Sequence, residues 1–514
     1  MTAAALFPGF LLQLQQWRLP ETFVVAVALS LVSILSWSRT RRSRRRPALN
    51  LPPGPQTLPL LGNLHQIGAL PHRRLGALAR QHGPVMLLRL GSVQTVVVSS
   101  PEAAREVMKT HDVHCCSRPA MSGPRQLTYE YKDVAFAPYG DHVRDMRKLF
   151  ILELLSMRRV QAAWDARVAQ AGKLVLNLTR AGPNPVALND HIFSAVDGIN
   201  GTVVFGEIYG TEHFNLQFLN ILSEVMDMLG SFSAEDFFPS TAGRLIDRLT
   251  GVTARRDRIF QRLNELLEEV IDGHLNTAHN EQLGDGKRRS DLVQALIGLF
   301  KDNNVKAMTL LSAALTLPLY ITMVWAMAEM IQHPSVLKSV QDEIRAVVGG
   351  KEMASPDDVS KLKLLKMVVK ETLRMHPPLT LLLPRETIQQ VDIKGYDVPA
   401  NTRIIVNAWA IGRDPDIWKD PEEFNPERFM GSDVDFNGAN FEFLPFGSGR
   451  RICPGMAMAV TNIEFILANL LYCFDWELPE GARKEDMSMQ EAGSLAFHKK
   501  TPLLLVPRRY QTSH

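Results

Sequence analysis

The chain has 514 residues, enough for one large domain, with 46% hydrophobic and 22% charged residues, the balance of an ordered globular core with some extra apolar sequence. Its formal net charge is +3, and six arginines (39, 41, 42, 44, 45 and 46) crowd into one stretch, so the remainder is slightly acidic. That pattern excludes a disordered chain and shows no nucleic-acid footprint, while four cysteines (Cys115, Cys116, Cys453 and Cys473), two of them adjacent, exclude a disulfide framework and a zinc-type spacing.

In chain order, Thr22 to Trp37 is uncharged and strongly apolar, which predicts a transmembrane helix over 22–38. At 1.5 Å per residue it spans about 25 Å, near the thinner hydrocarbon layer of the endoplasmic reticulum. The arginines that follow place the rest in the cytosol and leave residues 1–21 in the lumen. Residues 39–55 form a basic stretch and a stiff hinge, Leu51-Pro-Pro-Gly-Pro55, before one domain over 56–514. Within that domain, β-branched runs between Val85 and Val98 predict a small sheet. Helical periodicity dominates from Glu102 onward and is clearest over Val160 to Leu178, Arg255 to Asn276, Met308 to Gln332 and Ser335 to Val348. Pro399 to Arg403 reads as a turn into a strand at Ile404 to Val406, and Met456 to Leu471 as a buried helix. The fold class is therefore mainly α with a small β region. Two glycosylation sequons, at Asn177 and Asn200, are expected to be silent on the cytosolic side.

The segment Phe446-Gly-Ser-Gly-Arg-Arg-Ile-Cys-Pro-Gly455 wraps one cysteine in glycines, which permit turns that bring N–H groups close to a sulfur anion. Arg451 supplies forked donors suited to a carboxylate, and the helix that begins after Cys453 favours a thiolate through its N-terminal dipole. The loop resembles the haem-binding signature of the cytochrome P450 family, Phe-x-x-Gly-x-Arg-x-Cys-x-Gly, at Phe446, Gly449, Arg451, Cys453 and Gly455. Glu371-Thr-Leu-Arg374 resembles the family's Glu-x-x-Arg, and Pro426-Glu-Arg-Phe429 the segment that completes its charge cluster. Arg374 runs on through Met-His-Pro-Pro378 and Leu379 to Leu383 into Pro384-Arg385, again in the family's order. The likeness extends from about Leu51 to Leu505, and its proline hinge is that of a plant microsomal member.

The resemblance implies a single large haem domain of cytochrome P450 fold behind the membrane helix, with Cys453 as the ligand to the iron of haem b. It places Arg451 and Arg385 at the haem propionates, with Phe446 and Gly447 shaping the loop. Arg147 takes the second position of the family's Trp-x-x-x-Arg pair, although Val143 stands where the tryptophan belongs. The implied activity is that of a monooxygenase in the endoplasmic reticulum membrane. It would insert one oxygen atom into a small lipophilic terpenoid, phenolic or alkaloid, with electrons from NADPH through NADPH-cytochrome P450 reductase. Segments matching the family's substrate-facing regions are Met121 to Asp133, Phe232 to Phe238, Ala313 to Tyr320, Leu379 to Leu383 and Ser494 to Phe497; Leu315, Leu317, Leu319 and Leu381 suggest a greasy cavity.

One departure is large. Where the family carries Ala/Gly-Gly-x-Asp/Glu-Thr, this chain reads Ser312-Ala-Ala-Leu-Thr-Leu-Pro-Leu-Tyr320. Counting back from Trp325 puts Leu317 at the acid and Pro318 at the threonine; counting forward from Asn304 puts Pro318 and Leu319 there. Activating dioxygen requires two protons, which an acid and an alcohol ordinarily deliver through ordered water, and neither register supplies that pair. Thr316 and Thr322 are the candidate substitutes. The connection from Ser290 to Lys301 is also short for the family. A reshaped active site, an aberrant gene model and a decaying enzyme all fit these two features. The missing pair keeps open an isomerase, dehydratase or peroxide-using enzyme on the same fold, and a catalytically silent haem or ligand-binding protein.

Overall fold

The computed structural model describes residues 49–510 except 207–211, 282–290, 301–302 and 315. The expected membrane helix and its flanks over 1–48 lie outside the described residues.

The β-branched runs form the expected sheet. Strands β1 (Val85–Leu90) and β2 (Val93–Val98) pair antiparallel with Leu87 opposite Val96. Two short strands complete the order β1-β2-β4-β3: β3 (Arg385–Glu386) and β4 (Arg403–Val406), the latter parallel to β2 with Val97 opposite Ile405. This sheet carries Arg385 at its far edge.

Helices make the rest. The principal ones are α1 (Asp141–Leu149), α2 (Trp164–Ala181), α3 (Leu188–Phe205), α4 (Val252–Glu281), α5 (Asn303–Ala314), α6 (Thr316–Gln332), α7 (Pro334–Val348), α8 (Lys363–Met375) and α9 (Met456–Cys473). The expected helix from Val160 is interrupted at Ala163, between a short helix Met157–Ala162 and α2. At this break the buried Arg167 guanidinium donates to the Val160 carbonyl.

Helix α6 is apolar around most of its circumference because it is enclosed, and its buried Glu329 is paired with His376. Ile321, Met323, Ala326, Met327, Ala328 and Met330 are fully buried, and α3, α8 and α9 pack around it. The segments Asn304–Gln332 and Met456–Cys473 are long and apolar enough to cross a membrane, yet both are mostly buried within the protein and form its core.

A buried charge cluster locks α8 to the loops beneath it. Glu371 Oε2 accepts from Arg374 Nε at 2.7 Å, and Oε1 from Arg428 Nε at 2.9 Å and from the Asn425 N–H at 2.9 Å. Arg374 continues to the carbonyls of Gly412 and Pro421, at 2.6 and 2.8 Å. Every donor and acceptor is thus matched, which is the condition under which buried ions are tolerated.

Candidate active site

The cysteine loop is held by its own backbone. The Cys453 N–H donates to Phe446 O at 2.9 Å and the Ile452 N–H to Gly449 O at 3.0 Å, which fixes the sulfur just before α9. Gly447 and Gly449 have φ of 69° and 68°. At Gly449 an added Cβ would stand 2.3 Å from Met108 O and 2.8 Å from Asp112 Oδ1, so the loop backs onto that wall too closely for any other residue. Cys453 lines a large cavity together with Pro445, Phe446 and Gly447. Burial pushes its thiol pKa up, while the Gly455 N–H and the Arg147 guanidinium pull it down. A metal ion in the cavity would settle the balance in favour of the thiolate.

Three arginines singled out in the sequence converge on this cavity, and a fourth joins them. Arg147 donates to Ile452 O, within the cysteine loop. Arg385 donates to Asp112 Oδ1 at 3.0 Å and to Ser448 O at 2.8 Å. Arg451 donates to the carbonyls of Cys116 and Ala137, at 2.8 and 2.6 Å. The fourth is Arg118, held by the carbonyls of Ala135, Leu383 and Pro384 at 2.7 to 2.8 Å. All four line the cavity. Burial, then the like charges of Arg451 and Arg385, push the Arg118 pKa well below its usual value.

Four guanidiniums face two buried carboxyl groups, Asp112 and Asp133. At least two positive charges are left over, which matches the two propionates of haem b beside a cysteine able to ligate iron. The donor set therefore fits that cofactor. Sequence reading missed Arg118; the available signal was a lone arginine inside the otherwise small and apolar run Cys115 to Met121.

The opposite elements of the cavity wall are hydrocarbon. Ala307, Leu310, Leu311 and Ala314 of α5 and Leu317, Pro318 and Leu319 of α6 line it, with Leu379, Leu383, Leu495 and Ala496. Of the expected substrate-facing residues, Leu381 instead packs with the sheet cluster around Met86 and Leu88, and Leu315 lies outside the described residues. Phe232 to Phe238 does not reach the wall; Met226 and Leu229, on the preceding helix Glu212–Gly230, do.

The two threonines part company. Thr316 is buried away from the lining, where its Oγ1 accepts from Asn200 Nδ2 at 3.1 Å. That bond also buries the Asn200 sequon between helices. Thr322 does line the cavity, but its hydroxyl donates to Pro318 O at 2.9 Å, one turn back on its own helix.

The cytochrome P450 family profile matches residues 52–506 of the chain. The protein is a cytochrome P450. It is a haem-thiolate monooxygenase, an oxidoreductase with haem b as cofactor, drawing electrons from a redox partner and acting on small molecules of plant specialised metabolism. Among its relatives, the 4-hydroxyphenylacetaldehyde oxime monooxygenase of Sorghum bicolor is 53% identical, with 97% of this chain and 96% of that protein covered. The 2-methylbutanal oxime monooxygenase of Manihot esculenta is 44% identical, covering 96% of this chain and 98% of its own length. Cytochrome P450 71B34 of Arabidopsis thaliana is also 44% identical. A solved zebrafish cytochrome P450 with abiraterone superimposes with a TM-score of 0.71 at 24% identity, over 86% of this P450 and 100% of that chain.

Proposed function

We propose that this P450 oxidises an aldoxime. The observation that carries the reading is the 53% identity to an oxime monooxygenase over nearly the whole of both chains. The hydrocarbon cavity wall of α5 and α6 suits the apolar body of such a substrate. Cys453 holds the haem iron as its thiolate, Arg118, Arg147, Arg385 and Arg451 hold the propionates, and Phe446 and Gly447 shape the loop beneath. Bound haem supplies the oxidising chemistry. The protein excludes water with leucines and keeps the thiolate in place with the backbone of its loop.

A membrane helix over 22–38, with 1–21 in the lumen and the basic hinge over 39–55, would tether the domain to the cytosolic face of the endoplasmic reticulum, where NADPH-cytochrome P450 reductase supplies electrons. An exposed apolar surface supports this orientation. Leu60, Leu61, Leu245, Ile246 and Leu249 are all exposed, and the two segments are brought near one another where Gly91 bonds to Leu61 O and Ser92 to Phe237 O. Patches of that kind mark sites that rest on a membrane or partner.

Leucine and proline in place of the acid–alcohol pair favour a second reading, a redox-neutral dehydration in which the aldoxime loses water to give a nitrile. Reconstitution with a plant reductase separates the two. Product that needs NADPH and gains an oxygen atom is expected of the monooxygenase; product formed equally without NADPH, lighter by one water, would replace it with the dehydratase. A complete failure of aldoximes to react or bind would remove the substrate assignment.

A further inference from the structure

Where α5 meets α6, the backbone carries an acceptor that the helix cannot satisfy. Ala314 is the last residue of α5, and in a continuing helix its carbonyl would take the N–H of the residue four positions on. That residue is Pro318, which has no N–H and whose ring crowds the same carbonyl. Ala314 and Pro318 both line the cavity, with Leu317 beside them. Thr316 pins the turn from behind, its Oγ1 accepting from Asn200 Nδ2 at 3.1 Å, which holds Ala314 and Pro318 toward the cavity. Hydroxyls of the two helices are directed elsewhere: Ser312 donates to Met308 O at 2.8 Å, Thr322 donates to Pro318 O at 2.9 Å, and Tyr320 accepts from Asn189 Nδ2 at 3.0 Å. A buried carbonyl without its donor costs about what a lost hydrogen bond costs, and a ligand hydroxyl would restore it.

We propose that the Ala314 carbonyl, freed by Pro318, accepts a hydrogen bond from the hydroxyl of the substrate's oxime group and so positions that group at the junction of α5 and α6. The proposal rests on the aldoxime reading above and adds the backbone atom that orients the substrate. An aldoxime carries one donor in its C=N–OH group, and the side chains around the junction, Leu310, Leu311, Leu317 and Leu379, are hydrocarbon. Pointed at any of those, the oxime O–H would be buried unpaired. Bound to the Ala314 carbonyl, the substrate brings a hydroxyl to the turn from which an alcohol side chain is missing, and its apolar body lies along Leu310, Leu311 and Met226. Proline at position 318 thereby does two things at once: it deletes the alcohol, and it exposes the acceptor that takes the substrate's own.

The test is optical titration of the full-length haem-loaded P450 with phenylacetaldehyde oxime and with its O-methyl ether, which keeps the C=N–O group and lacks the proton. The wild type is expected to bind the oxime about fivefold more tightly than the ether, the worth of one hydrogen bond between neutral groups. Pro318→Ala and Pro318→Val both return an N–H to the helix and so re-pair the Ala314 carbonyl, and Val keeps most of the bulk of the ring. Each should weaken the oxime by about the same factor and leave the ether unchanged, which brings the ratio close to one. A ratio that persists in both variants overturns the carbonyl contact, because exclusion of the methyl group would then account for it. A ratio lost in Pro318→Ala and kept in Pro318→Val assigns the preference to packing against the ring and overturns it as well. Equal binding of oxime and ether by the wild type overturns the contact alone; binding of neither overturns the aldoxime reading and the contact with it.

Discussion

At the scale of single residues, the site divides by how each residue is held. Cys453 is held by backbone hydrogen bonds and two positive-φ glycines, so Cys453→Ser should leave the loop standing and remove only the sulfur. The expected result is a folded protein without the thiolate signature in its ferrous carbonyl spectrum; an unaltered spectrum would refute the ligand assignment. Arg118 is held by three carbonyls, and Arg118→Leu should lower haem retention by about an order of magnitude, measured as haem loss to an acceptor protein. Glu371 accepts from three residues at one carboxylate, Arg374 on its own helix and Asn425 and Arg428 on the loop beneath. Removing it as Glu371→Ala leaves the buried Arg374 guanidinium and the half-buried Arg428 without their carboxylate and should cost about 3–5 kcal/mol, seen as failure to accumulate haem-loaded protein.

At the scale of elements, legibility followed the local character of the signal. The sheet hairpin, the α7 and α9 helices and the cysteine loop were readable because β-branched runs, apolar periodicity and glycine spacing are all written within a dozen residues. The break at Ala163 was not, for the apolar periodicity runs through it and the bond made there, from the buried Arg167 to the Val160 carbonyl, is a tertiary detail. Nor was the burial of Thr316, which is decided by Asn200 on a helix more than a hundred residues away. The role of Arg118 was hidden for the same reason, because nothing in its neighbours names Leu383 or Pro384. In α6 the sequence stated the anomaly outright, and Leu317 and Pro318 do face the cavity. Leu317→Asp with Pro318→Thr is therefore expected to raise product formed per NADPH consumed. Unchanged coupling would mean that protons reach the site by a route independent of this turn.

At the scale of the whole molecule, distant parts of the chain are tied by charge. Glu491, near the C-terminus, accepts from His72 Nε2 at 2.8 Å and from Arg73 on the helix Pro71–His82. Burial alone would raise this carboxyl; the hydrogen bonds from His72 and Arg73 outweigh it and hold its pKa at about 2. A depressed carboxyl pKa adds stability that is complete above the unfolded value of about 4.3 and is lost as pH falls toward about 2. Glu491→Gln should flatten the acid limb of the stability curve in that window, checked by denaturation midpoints against pH. The convergence of Arg118, Arg147, Arg385 and Arg451 has a further consequence, for supply rather than catalysis. A nascent chain must bring four like charges into one interior, with too few carboxylates to balance them, before any dianion arrives to relieve the repulsion. Ligand binding of that kind is indistinguishable from folding free energy. The cellular amount of this enzyme should therefore track porphyrin availability, with chains made during haem shortage diverted to degradation whatever the level of their messenger RNA.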